Sequence, residues 1–204
     1  MIAISARSSL RASIATAFAL LLMLTTGLSQ TLAATRGPIA LVTEVGRQGI
    51  QALGSSSAER IARLNLLFLR DFDVYGLGNF ALGRYRAVAT PQELQEFYRI
   101  YPAFMVKALN YKLDDYRGQG FRVTSKRKVG AQTIIASEIG GRVQVDWHLA
   151  KFGPSREYRI IDVTIAGASM KAALRDQFAS WIQSNGGQFR ALLAVMRQQI
   201  AQLQ

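Results

Sequence analysis

The chain has 204 residues, half of them apolar, with no cysteine, one histidine and a formal net charge of +12. That composition excludes disulfide staples and thiolate metal sites. It favours an anionic partner: nucleic acid, anionic lipid headgroups or the face of an acidic protein.

Residues 1–34 read as an export signal. Arg7 and Arg11 supply a basic start, Ile14 to Leu24 an apolar core, and Thr31-Leu32-Ala33-Ala34 small residues for cleavage near Ala33 or Ala34. An uncleaved membrane anchor would need about 20 apolar residues, and this core is shorter. Residues 35–204 then form one exported domain with room for a real core. Removing Arg7 and Arg11 leaves a net charge of about +10. Export disfavours nucleic acid as the partner and favours membrane lipid.

Residues 38–53 place Ile39, Val42, Val45, Ile50 and Leu53 at helical spacing. Ser57 is expected to cap the next helix, with Arg60 three residues on and therefore no capping box. Ile61, Leu64, Leu67 and Phe68 carry that helix through Arg70. A short helix is expected over 73–83, started by Asp73. Thr90 caps the next, with Pro91 at its first position and Glu93 in its first turn. It should run to about Tyr116, with Leu94, Phe97, Tyr98, Tyr101, Met105, Leu109 and Leu113 inward and a kink at Pro102.

After Gly118 and Gly120 the period changes from 3.6 to 2. Phe121, Val123 and Val129 begin an alternating run; Thr133 to Ile139, Val143 to Leu149 and Tyr158 to Ile165 continue it. The turns carry Gly130, Gly140-Gly141 and Gly153-Pro154. This pattern predicts a four-stranded antiparallel meander. Val143, Val145, Trp147 and Leu149 should be covered, with Arg142, Gln144, Asp146 and His148 on the wet face. Ser169 then caps a helix from Met170 to about Ser184, stopped by Asn185-Gly186-Gly187. A last helix spans Gln188 to Gln204. The order argues for an α+β fold with helices packed on one sheet face.

Chemistry is sparse. His148 has no second histidine for a metal site, falls on the polar phase of its strand, and reads as a surface or hydrogen-bonded residue. Asp71 with Asp73, and Asp114 with Asp115, have the proximity of acid/base pairs. Asp73 reads better as a helix cap, and Asp114-Asp115 as a solvated helix end. No nucleophile elbow is present: Ser169 in Gly-Ala-Ser-Met lacks the second glycine, and Asp162 lies seven residues back. Gly76, Gly78 and Gly83 lie in a helical pattern with no preceding strand, so they fail as a dinucleotide loop. Lys126, Arg127 and Lys128 form the densest basic cluster and either protect a sheet edge or dock an acidic or anionic surface. Tyr85 between Arg84 and Arg86, and Tyr98 beside Arg99, are weak grounds for base stacking. What remains is wide apolar faces on helices and sheet with no chemistry between them, as a hydrophobic-ligand site needs.

Several stretches resemble the MlaC family of periplasmic lipid-binding proteins, also called toluene-tolerance auxiliary proteins. They are Phe72-Asp73-Val74, Leu82-Gly83-Arg84-Tyr85, Ala89-Thr90-Pro91, Tyr158 to Ser169, Leu174-Arg175-Asp176-Gln177-Phe178 and Gly186-Gly187. The resemblance spans residues 38–203. Arg86 and Tyr158 stand where family members often carry Trp, departures that point toward the hopanoid-associated HpnM branch without establishing it. The resemblance implies helices wrapped around a twisted four-stranded antiparallel sheet, with an apolar cavity between sheet and helices, and a soluble shuttle for a phospholipid or another membrane lipid. It also implies exchange with an inner-membrane ABC transporter containing an MCE-domain protein and with an outer-membrane lipoprotein complex. No enzymatic activity, metal or cofactor is expected.

Phase and position nominate a lining of Phe72, Val74, Phe80, Tyr85, Phe97, Tyr101, Phe104, Met105, Ile135, Val145, Trp147, Val163, Ile165, Leu174 and Phe178, with Arg84 and Arg175 near the headgroup. An exported interaction protein with a filled core and a small exported enzyme remain as alternatives.

Overall fold

The computed structural model describes residues 36–202. The expected export signal lies outside them. Six α-helices and a five-stranded antiparallel sheet follow in the order helices, strands, helices. The helices are α1 (Pro38–Ala52), α2 (Ser57–Asp71), α3 (Val74–Leu82), α4 (Pro91–Leu113), α5 (Met170–Gln183) and α6 (Phe189–Gln202). The strands are β1 (Phe121–Val129), β2 (Gln132–Ile139), β3 (Val143–Phe152), β4 (Glu157–Ile165) and β5 (Ala168–Ser169). Among the described residues no helix is long and apolar enough to cross a membrane.

Local chemistry sets most boundaries. Pro91 opens α4, and Thr90 and Glu93 form a full capping box: the Glu93 N–H donates to Thr90 Oγ1 at 3.2 Å and the Thr90 N–H to Glu93 Oε2 at 2.8 Å. Asp73 caps α3 by accepting from the Gly76 N–H. The cap of α2 is Ser56, not Ser57, and it accepts from the Glu59 N–H. Ser56 stands three residues before Glu59, which places an acidic side chain in the first turn, where the helix dipole favours it. α4 ends at Leu113, and the expected last turn is a 3-10 turn over Asp114–Tyr116. α4 is continuous through Pro102. The last helix starts one residue later than expected, at Phe189.

The sheet is the predicted meander plus a two-residue β5, paired to β4 through Thr164–Ser169 and Ile165–Ala168. That short strand delivers the chain to α5, and the period of two was too brief to read over two residues. Two bulges interrupt the alternation. One lies at Val123/Ser125 of β1, the other between β3 and β4 at His148/Leu149. The first puts Lys126 opposite Ile135 and Lys128 opposite Thr133, so both lysines take the phase of Val123. Val129 falls out of phase and is exposed, contrary to the simple alternating reading. Lysines turned toward the covered side of an edge strand deter pairing with another chain.

The covered face carries Phe121, Ile135, Ile139, Val145, Trp147, Leu149, Ile160 and Val163, which all belong to or pack on one buried cluster with the helices. α4 packs on α2 and α6, α3 on α5, and α1 on α2 and β1. Gly46 permits the last contact: a Cβ there would stand 2.3 Å from the tip of the Phe121 ring. Ile39, expected inward, is exposed, and Leu41 takes its place in the core. β4 reaches the helices through a parallel bridge between Phe72 and Ile160 and a 2.9 Å bond from the Asp73 N–H to the Ile160 carbonyl.

Candidate functional site

The interior between sheet and helices is built on α4 and α5. Phe97, Tyr101 and Phe104 recur on one stripe of α4 and meet Phe178 of α5 at ring-centroid distances of 6.1, 6.5 and 5.7 Å. Phe97 stacks on Tyr101 at 5.1 Å, and Phe178 on Trp181 at 5.8 Å. Edge-to-face and offset geometries at these separations are the favourable ones for aromatic pairs. On the sheet side, Trp147 donates its Nε1–H to Ser137 Oγ at 2.8 Å and packs against Phe121. Ser137 Oγ in turn donates to the Val145 carbonyl at 3.3 Å. The one polar pair on that part of the wall is therefore internally satisfied.

Of the fifteen nominated lining residues, Phe72, Phe97, Tyr101, Phe104, Met105, Ile135, Val145, Trp147, Val163, Leu174 and Phe178 are buried in the cluster. Val74, Tyr85 and Ile165 are half-buried against it. Phe80 is not brought together with them. It is exposed, and its ring lies under Lys171 Nζ at 4.9 Å and the Arg175 guanidinium at 5.1 Å. The buried side chains are in mutual contact. Two surface concavities lie elsewhere, and neither is lined by any of the fifteen. One is an open groove of about 690 Å³ between α1 and Lys126 of β1; the other, about 450 Å³, lies between α1 and α2 beside Leu66 and Arg70. Burial, rather than openness, marks the interior here, because an acyl site and a packed core are lined by the same residue types.

The headgroup candidates converge at one end of α3. Gly83 (φ +50°) ends that helix in a conformation that side chains strain to adopt, and a Cβ on it would stand 3.5 Å from Arg175 Cδ. The next residue, Arg84, lies with its guanidinium 5.1 Å from the Tyr85 ring centroid and donates Nη2–H to the Tyr85 hydroxyl at 3.0 Å. The bonds from Arg84 and Gln183 hold the Tyr85 phenol below its ordinary range. Lys171, Arg175 and Arg84, with Phe80 and Tyr85, thus make a cationic and aromatic rim in which Arg84, Arg175 and Phe80 are exposed and Lys171 and Tyr85 half-buried. Such pairs spread the cations over ring faces without removing them from water.

Asp162 sets the start of α5. Its buried carboxylate accepts from the Ser169 hydroxyl at 2.6 Å, the Lys171 N–H at 3.1 Å and its neighbour Val163 N–H at 2.9 Å. Ser169 itself caps α5 through the Ala172 N–H. The seven-residue spacing of Asp162 and Ser169, first weighed as a hydrolase pair, is a strand-to-helix clamp. Lys171 was missed as a rim residue because nothing in its own neighbourhood separates it from a solvated lysine.

The other sequence candidates are accounted for. His148 is half-buried with its ring nitrogens 3.4 Å from Gln132 Oε1 and 3.2 Å from Thr164 Oγ1. Asp71 is fully buried and ion-paired to Arg36 and Arg70, while Asp73 is the α3 cap, so the two do not form an acid/base pair. Asp114 pairs with Arg117 at 2.6 Å and Arg60 at 3.0 Å. Arg127 pairs with Asp146. Among the described residues no cluster of His, Cys, Asp and Glu could hold a metal ion.

Among the described residues three buried side-chain polar atoms lack a hydrogen-bond partner: Arg60 Nε, Asn110 Oδ1 and the Tyr101 hydroxyl, the last of them in the aromatic layer. Burial pushes the Tyr101 phenol well above the ordinary range.

The family model described as MlaC protein matches residues 40–198. Among solved structures, the fold is similar to that of a phospholipid-binding protein from Ralstonia solanacearum, determined in complex with a phospholipid. The TM-score is 0.64 and the identity 19%, over 80% of this chain and 97% of that one. At that identity the likeness shows the fold.

Proposed function

The chain belongs to the MlaC family, and from that premise we propose that it is a periplasmic lipid-binding shuttle without enzymatic activity. It carries a phospholipid or hopanoid-type lipid between membranes, as the soluble component of a pathway linked to an ABC transporter with an MCE-domain protein and to an outer-membrane lipoprotein complex. The observation that carries the reading is the adjacency of the buried aromatic layer to a cationic rim: Phe178 of the layer and Lys171 and Arg175 of the rim share α5. The lining is the fifteen nominated residues without Phe80, which joins Lys171, Arg84 and Arg175 at the rim.

The mechanism follows from transfer energy. Each methylene taken out of water is worth about 0.8 kcal/mol, so two acyl chains cannot cross an aqueous space unshielded. Inside the protein they exchange one apolar surrounding for another, and the step is nearly neutral. Phe97, Tyr101, Phe104 and Phe178 touch one another in the arrangement described, so a chain enters by parting α5 from α4. The rim then meets the anionic headgroup in water.

Mass spectrometry of an organic extract of the purified protein tests the proposal. Stoichiometric lipid supports it, and the lipid's identity separates phospholipid from hopanoid. A folded protein that yields no lipid, and takes none up from vesicles of anionic phospholipid, refutes it.

A further inference from the structure

We infer that the outer face of α1 and α2 is a docking surface for an anionic lipid bilayer, with Leu66 and Leu69 set into the acyl boundary and the arginines of the groove between the two helices on lipid phosphates. The inference goes beyond the carrier reading: it says where the protein touches a membrane, and it does not depend on what fills the interior.

α2 is apolar on two sides. Leu64, Leu67 and Phe68 are buried against the core. Leu66 and Leu69 lie on the solvent side. Leu66, 68% exposed, is the most exposed large apolar side chain among the described residues, and Leu69 is 46% exposed. Ala62 is exposed too, and residues 62, 66 and 69 share one face at helical spacing. Single exposed leucines are ordinary, but two on one stripe beside a groove form a patch, and such patches mark surfaces that are covered in use. The larger groove, of about 690 Å³ on the other side of α1, shares Arg47 with the smaller one and adds Lys126 and the 47% exposed Ile39 to the same face.

Charge selects the occupant. The groove of about 450 Å³ between the helices brings Arg47 of α1 together with Arg63 and Arg70 of α2, beside Leu66 and Gln51. The neighbouring carboxylates are already committed: Glu59 to Arg63 at 2.5 Å, Asp71 to Arg70 at 2.8 Å, and Glu44 to Arg36 at 2.9 Å and Arg70 at 3.6 Å. Arg47 is exposed and has no carboxylate partner among the described residues; its one side-chain bond there is to Gln51 Oε1 at 3.3 Å. Leucines standing out from a helix with guanidinium groups around them are the arrangement of an interfacial helix. The apolar tips enter the acyl boundary, and the arginine stems follow them while their heads stay at the depth of the phosphates. An acidic protein face would satisfy Arg47 but offer Leu66 and Leu69 no hydrocarbon. A neutral apolar partner would cover the leucines but bury the Arg47 charge unpaired. An anionic bilayer supplies both, and the net positive charge of the chain draws it in.

Flotation of the mature protein with vesicles of phosphatidylglycerol and with vesicles of phosphatidylcholine tests the surface. Wild type is expected to float with the first and not with the second, and to be released at about 1 M salt, where screening acts within roughly 3 Å. Arg47→Gln should weaken binding about fivefold, the scale of one basic residue at an anionic surface. Leu66→Ser should weaken it about tenfold, the scale of one leucine withdrawn from hydrocarbon. Both side chains are exposed, so the melting temperature and the lipid extracted from the interior should match wild type, which separates lost docking from lost fold or lost cargo. A wild type that ignores phosphatidylglycerol vesicles or binds both kinds equally overturns the assignment, as does either variant binding as wild type. Saturable binding of inorganic phosphate that displaces the protein from vesicles and survives Leu66→Ser makes the groove a small-anion site and overturns it. A wild-type dimer that Leu66→Ser dissociates places a second copy on the face and overturns it as well. Each of these leaves the carrier reading to its own test, the extracted lipid.

Discussion

Phe178→Ala tests whether the aromatic layer ties α5 to α4. The ring is fully buried, with centroids of Phe97, Tyr101, Phe104 and Trp181 within 6.5 Å. Truncating such a ring to Ala costs about 3–5 kcal/mol, the transfer term plus a cavity that the neighbours fill only in part. A domain of this size loses about 2–4 °C of melting temperature per kcal/mol, so the lipid-free protein should melt roughly 6–20 °C lower. Calorimetry on delipidated protein measures the shift, and far-UV circular dichroism checks that helix content is kept. The same sample then receives a saturating diacyl phospholipid. If acyl chains occupy the space between α4 and α5, methylenes fill the volume the ring vacated, and lipid should raise the melting point of the variant more than that of wild type. A lipid-free melting point within about 2 °C of wild type would refute the packing claim. An equal lipid-induced gain in both proteins would refute the location of the chains.

Three further outcomes are expected. Val163→Glu, with Val145→Glu as its companion on the neighbouring strand, sets a charge in the covered face and should abolish co-purified lipid; unchanged lipid in either folded variant counts against the lining. Asp162→Ala strands the Ser169 hydroxyl and the Lys171 N–H and should lower stability by about 2–4 kcal/mol in urea titration, with a near-neutral result refuting the clamp. Arg36 bonds to Glu44 at 2.9 Å and holds its carboxyl below the ordinary value of 4.5. Because the folded value is depressed, this contribution is present above the ordinary value and fades as pH falls through the folded one. Arg36→Ala should therefore flatten the loss of stability below about pH 4.5, measured as urea midpoints from neutral to acid pH; an unchanged acid limb would show that the pair carries none of it.

Sequence signals that were local and chemically unambiguous survive in the structure. Thr90-Pro91 with Glu93 specifies a cap, a fixed first φ and a reciprocal bond, and nothing in the tertiary fold competes with them. The same holds for Asp73, Ser169 and the glycine-bearing turns. Periodicity failed where the backbone adds a residue. The bulge at Val123/Ser125 carries no residue-type signature, so Val129 read as covered and Lys126 as outward. Periodicity also failed where a helix is apolar all round. In Val74–Leu82 no stripe is distinguished, and Phe80 took an inward place that Leu77 and Ala81 hold. Ser56 and Ser57 offer equal caps until Glu59 is counted. Asp162, Asp71 and the unpaired Tyr101 hydroxyl belong to a different class. Asp71 pairs with Arg36, 35 residues away, Asp162 bonds across the junction of β4 and α5, and the Tyr101 hydroxyl has no partner among the described residues; no local pattern announces any of the three.

Under the proposed function, the apolar interior and the basic surface would answer two halves of one requirement for a reversible carrier. Burial of acyl chains supplies most of the affinity against water but almost none against a bilayer, since both surroundings are hydrocarbon-like. Release then depends on the headgroup contact being weak. Arg175 keeps about half of its side-chain surface in solvent and lies 3.6 Å from Asp176, and Arg84 is exposed. Exposed ion pairs are worth at most about 1 kcal/mol and are screened over roughly 8 Å at physiological salt. A rim of this kind orients an anionic headgroup at short range without trapping it. Had the same arginines been buried, each would have needed a committed partner, and the cargo would have become that partner at a cost of several kcal/mol to remove. On the proposed reading, the rim's exposure is what would let an enclosed lipid leave.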